Sequence, residues 1–136
     1  MSIFQSRAVT KKLDAEFSGR EPLNEQSFYE IYFQSRGVPA DVVKTVRRIL
    51  EEEFDLDLSR LSAEDDFARN LSFIVDYGSL DAVEVVIRLE DEFGIKITDA
   101  EAQQTTTVEG IVNMVSEKLR QSLFSRATFG FHPETK

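Results

Sequence analysis

The stretch Gly78-Ser79-Leu80-Asp81-Ala82-Val83-Glu84-Val85-Val86-Ile87-Arg88-Leu89-Glu90-Asp91-Glu92-Phe93-Gly94-Ile95-Lys96-Ile97 decides how the chain reads. Ser79 suits a helix N-cap, where a hydroxyl accepts from a free backbone donor. Asp81 and Glu84 follow in the first turns, where the positive end of the helix dipole favours acids. Leu80, Val83, Val86, Ile87 and Phe93 supply apolar positions. Gly94 can stop the helix as a left-handed cap. The pattern predicts a helix over 79–93, followed by a short extended piece, Ile95–Ile97.

Working outward, Thr98-Asp99-Ala100-Glu101 reads as the start of one or two helical turns. Thr105–Thr107 is β-branched loop and cap material. A last helix is expected over about 107–121, with Val108, Ile111, Val112, Val115 and Leu119 on one stripe. Upstream, Val42, Val43, Val46, Ile49, Leu50 and Phe54 give residues 39–54 one apolar helix face. Pro39 suits its first turn, where a missing donor costs nothing. Asp55–Asn70 breaks the period and reads as a loop anchored by Leu58, Leu61 and Phe67. The apolar run Leu71-Ser72-Phe73-Ile74-Val75, then Asp76-Tyr77, lengthens that loop toward Ser79. Phe28, Ile31 and Tyr32 predict one helix over 24–36. Val9, Leu13 and Phe17 step by four more weakly, and disorder is expected nearer residue 1. Leu123, Phe124, Phe129 and Phe131 show no sustained period and are not counted as core. The fold expected is all-α: a bundle of three main helices and one short helix, with an N-terminal, partly helical extension.

Composition narrows the function. The chain has 136 residues, 25 acids against 16 Lys and Arg, and a net charge of -9. The first 39 residues balance five bases against five acids, and residues 122–136 net +1. That leaves -10 in residues 40–121. Phosphate backbones and anionic membranes need cationic surface, so both are disfavoured as partners. Basic protein partners are favoured. There is no Cys, which removes disulfides, thiolate nucleophiles and cysteine metal sites. His132 is the single His, so an HExxH zinc site is impossible and a Ser-His-Asp triad would rest on the tail. No catalytic residue and no metal ligand is nominated. No apolar run is long enough to span a membrane. Residues 1–20 lack the apolar core of a secretory signal and carry Asp14 and Glu16, so a cytoplasmic protein is expected.

The quoted stretch resembles the acyl carrier protein family. There a serine in an Asp-Ser-Leu motif begins the second helix, and a Leu-Glu-Glu-Glu-Phe-Gly-Ile ending closes it. The match runs without a gap from Ser79 through Ile97. It continues into Thr98-Asp99-Ala100-Glu101-Ala102 and Thr106-Thr107-Val108, which look like the short third helix and the entry to the fourth. Val46-Arg47-Arg48-Ile49-Leu50 is similar to the family's first helix. The resemblance implies a discrete carrier with its domain at 39–121, an extension at 1–38 and a tail at 122–136. It implies a covalent 4'-phosphopantetheine, transferred from coenzyme A to the Ser79 hydroxyl by a phosphopantetheinyl transferase. It implies that the chain is not an enzyme, since the cofactor holds the reactive thiol and partner enzymes do the chemistry.

The same resemblance makes Asp81, Glu84, Glu90 and Asp91 the acids of a docking face. Val83 and Ile87 are its apolar contacts, and acyl-transferring or ketosynthase-type enzymes with basic surfaces are its partners. A monomer is expected. One departure stands out: the residue before the serine is Gly78, where the family usually has Asp. That departure favours a second reading, an unmodified carrier-like helical interaction module. Asp55-x-Asp57-x-Ser59 is similar to the opening of an EF-hand loop. It has Arg60 where Gly is needed and Asp66 where a bidentate Glu is needed, so it reads as an ordinary acidic loop.

Overall fold

The computed structural model describes residues 3–77 and 79–130, with side chains described for 7–75 and 82–123. Among the described residues there are seven α-helices: α1 (Ile3–Glu16), α2 (Glu25–Tyr32), α3 (Ala40–Phe54), α4 (Ser72–Tyr77), α5 (Ser79–Phe93), α6 (Asp99–Gln104) and α7 (Val108–Gly130). A single 3-10 turn, Gln34–Arg36, follows α2. There is no strand among the described residues, only an isolated bridge between Asp66 and Thr107. The all-α bundle is therefore the fold.

The helix ends follow local chemistry. Asn24 caps α2 by accepting from the Ser27 N–H at 2.8 Å. Pro39 stands at the N-cap of α3, and Asp55 closes that helix with φ 53°. Thr98 and Glu101 form a reciprocal capping box on α6. Gly94 ends α5 with φ 64°, and its N–H donates to the Glu90 carbonyl at 2.9 Å.

One contiguous core joins the helices. Val42, Val43, Val46, Ile49, Leu50 and Phe54 of α3 are all buried, as their spacing predicts. So are Leu58, Leu61 and Phe67 of the following loop, and Val108, Ile111, Val112 and Val115 of α7. Fully burying such side chains stabilises by about 1.5–3 kcal/mol each. α3 packs on α2, α5 and α7.

The structure departs from the sequence expectations in four places. Toward residue 1, where disorder is expected, α1 begins at Ile3, and Val9, Leu13 and Phe17 are buried in the shared core. The Leu71–Val75 run, read as loop, forms most of the short helix α4, because Leu71 and Ile74 bury against the rest of the molecule. The 24–36 helix ends at Tyr32 and passes into the 3-10 turn, so Phe33 is buried and Ile31 is 60% exposed. α7 continues to Gly130 rather than stopping near 121, with Leu123 64% exposed. Ile95–Ile97 is a non-helical piece between α5 and α6, as expected, and its two isoleucines are buried. Phe131 and His132 lie outside the described residues, as do the side chains of Phe124 and Phe129.

Candidate functional site

The site is built on α5, whose first residue is Ser79. α4 ends one position before Gly78, so two helices meet at the serine. Gly78 lies outside the described residues, as do the side chains of Asp76, Tyr77, Ser79, Leu80 and Asp81. The backbone assignment is enough to place Ser79 in the first turn of a 15-residue helix. In general the first turn of a helix offers unpaired backbone N–H groups and the positive end of the dipole. Both favour an anion at such a position.

α5 is held by its buried residues, Val85 and Leu89, one turn apart. Neither belongs to the stripe expected from the sequence. Four apolar residues within five positions, Val85, Val86, Ile87 and Leu89, hide the phase of the helix. The opposite side is free. Val83 is 54% exposed and Ile87 42%, and Glu84 and Asp91 are exposed beside them. An apolar pair flanked by acids thus faces outward along one side of α5.

Glu90 is different from the other nominated acids. It is only partly exposed, and its carboxylate accepts from the Ile97 N–H at 2.8 Å. It ties the chain after Gly94 back onto α5. A residue that sequence reasoning missed is Arg88. Its guanidinium reaches Glu52 at 2.8 Å and Glu53 at 3.1 Å on α3, which fixes the rotation of α5. These hydrogen bonds with Glu52 and Glu53 raise the Arg88 pKa. An Arg amid acids on one helix, with an acidic run on another, is the signal that could have found it.

Asp57 of the acidic loop accepts from the Ser59 N–H at 2.9 Å, and the Ser59 hydrogen bonds lower its pKa. It is part of a tight turn. Among the described residues, no helix is long and apolar enough to cross a membrane.

These features define a helical domain in which α5 begins with a serine and carries an acidic, partly apolar outward face. The family model for the phosphopantetheine attachment site matches residues 44–115. The chain is 30% identical over 80 residues to an acyl carrier protein of Thermosynechococcus vestitus (strain NIES-2133 / IAM M-273 / BP-1), covering 59% of this chain and 94% of that protein. No solved structure matches the chain. The chain belongs to the acyl carrier protein family, whose prosthetic group is covalent 4'-phosphopantetheine. Its residues fit that group: a hydroxyl at the start of α5, and an outward face one to three turns further on.

Proposed function

We propose that this chain carries acyl intermediates on a 4'-phosphopantetheine arm attached to Ser79, for fatty acid, polyketide or specialised lipid synthesis. The observation that supports it most is that Ser79 falls inside the matched attachment segment and is the first residue of α5. When bound, the group supplies a terminal thiol that holds the acyl chain as a thioester. The chain's own residues position and present it. The first turn of α5 receives the phosphate. Val83 and Ile87 offer apolar contacts to a docked enzyme, while Asp81, Glu84 and Asp91 meet its Lys and Arg. Exposed ion pairs are individually weak, so these acids mainly steer and orient the encounter. Glu90 contributes less to docking than to the fold, because its carboxylate already holds Ile97. A phosphopantetheinyl transferase installs the arm from coenzyme A, and separate enzymes load and process the cargo.

The test is intact-mass measurement after incubation with coenzyme A and a broad-specificity phosphopantetheinyl transferase. Wild type gains the mass of one arm, and Ser79→Ala gains none. Gly78, in place of the family's Asp, favours the second reading, an unmodified interaction module. A wild-type chain that stays unmodified beside a fully modified control carrier would replace the first reading with the second.

A further inference from the structure

The segment that leads to Ser79 is held by residues that lie outside the matched family region. Asp65 is 2% exposed and sits seven positions before α4. Arg20, from the turn after α1, grips it with two hydrogen bonds of 2.8 and 3.0 Å. The same carboxylate accepts from the Ser62 N–H at 2.8 Å and from the Asn70 amide at 2.9 Å. Asn70 reaches Glu16 of α1 at 3.2 Å with that amide, and its oxygen accepts from the Asp66 N–H at 2.9 Å. Two residues later α4 begins, and α1 packs directly against it. Ser79 follows α4 after Gly78. A continuous run of contacts therefore leads from the extension, through Asp65 and Asn70, to the helix that delivers the serine.

The arrangement is built for rigidity. A buried carboxylate is tolerated because four donors from three residues satisfy it. Its backbone carbonyl accepts from the Val108 N–H at 2.9 Å, which locks the same loop to the start of α7. The Arg20 guanidinium also lies 4.7 Å from the Phe17 ring centroid and donates to the Arg60 carbonyl at 3.1 Å. Arg20 therefore has one defined position, and so has the loop it holds.

We propose that α1 and the turn after it brace the segment leading to Ser79, and that Arg20 is the positioning residue, acting through Asp65 and Asn70 on α4. The functional half of this proposal rests on Ser79 being the attachment site. The brace shortens the reach of α4, so that the transferase meets the serine in one geometry rather than selecting it from many.

Two measurements on the full chain test this. The first is amide hydrogen exchange over residues 72–77 in the unmodified protein. Arg20→Gln raises exchange there by about tenfold or more, the loss of one charge-assisted hydrogen bond. Amides in the middle of α7 keep their protection. Arg20→Lys, which keeps the charge but not the two-pronged grip, falls between the two, and it stands in if Arg20→Gln does not fold. The second is the rate of arm addition from coenzyme A by the transferase. The KM for the carrier rises several-fold with kcat little changed. Unchanged exchange over 72–77 in either folded variant overturns the brace. Increased exchange there with an unchanged KM, on a chain that is loaded, overturns the functional half, that the brace sets how the transferase meets Ser79. A wild-type chain that is never loaded removes the Ser79 reading alone, and the exchange result then decides whether the brace exists.

Discussion

Replacing Phe17 by Ala tests whether the N-terminal extension belongs to the folded unit. Phe17 is 0% exposed and lies 27 residues before the matched family segment begins. Truncating a buried Phe costs about 3–5 kcal/mol, as transfer energy plus the cavity left behind. The guanidinium carbons of Arg20 and Arg60 lie 4.7 and 5.7 Å from its ring centroid. Losing those contacts adds about 0.5–1 kcal/mol, so the expected total is about 4–6 kcal/mol. With an m-value of about 1.5 kcal/mol/M, the urea midpoint falls by about 3–4 M, enough to unfold a marginal domain. Equilibrium urea unfolding followed by far-UV circular dichroism measures it. Leu123→Ala, at a 64% exposed position, is the control and stays within about 0.5 kcal/mol of wild type. A Phe17→Ala loss below about 1 kcal/mol would refute the burial of α1 and the reasoning built on it.

Two further outcomes follow. Burial alone would push the Asp65 carboxyl up, but hydrogen bonds from Arg20, the Ser62 N–H and Asn70 hold it below the ordinary range. The unfolded state then binds the extra proton first, so stability present at neutral pH is lost as pH falls below about 4. Asp65→Asn flattens that acid dependence in urea titrations between pH 6 and 3, and an unaltered slope would contradict it. On α5, Asp91→Lys lowers kcat/KM with a basic partner enzyme and weakens its salt dependence, while melting temperature changes little. An equal effect at 0.5 M salt would show that charge steering is not its role.

Much of the bundle was legible in the sequence because its signals are local. Six apolar residues at helical spacing mark α3, and Gly94 and the Thr98–Glu101 pair mark ends that the backbone confirms. The Ser79–Ile97 register carried the family. The rest depends on partners distant in sequence. α1 offers a narrow stripe, Val9 and Leu13 with Phe17 just beyond, beside the polar Arg7, Thr10, Lys11, Lys12 and Asp14. Its burial is secured by Arg20, Arg60 and Glu16 reaching residues more than 40 positions away. α4 is too short to show a period, and α5 is apolar on too many sides to show its phase. α7 outruns its apolar stripe because a helix backbone continues until something breaks it, and no Gly or Pro stands between Gly110 and Gly130.

Arg47 shows what this interdependence means for a chain being synthesised. It is 4% exposed, donates to the Leu23 and Asn24 carbonyls, and stacks over Phe28. Arg20 likewise waits for Asp65, 45 residues later. Neither charge can be enclosed until both stretches have left the ribosome. Arg47 can close on α2 as soon as α3 has emerged, whereas Arg20 stays open until the loop after α3 arrives. Completing the shared core waits on that loop, and such long closures slow folding.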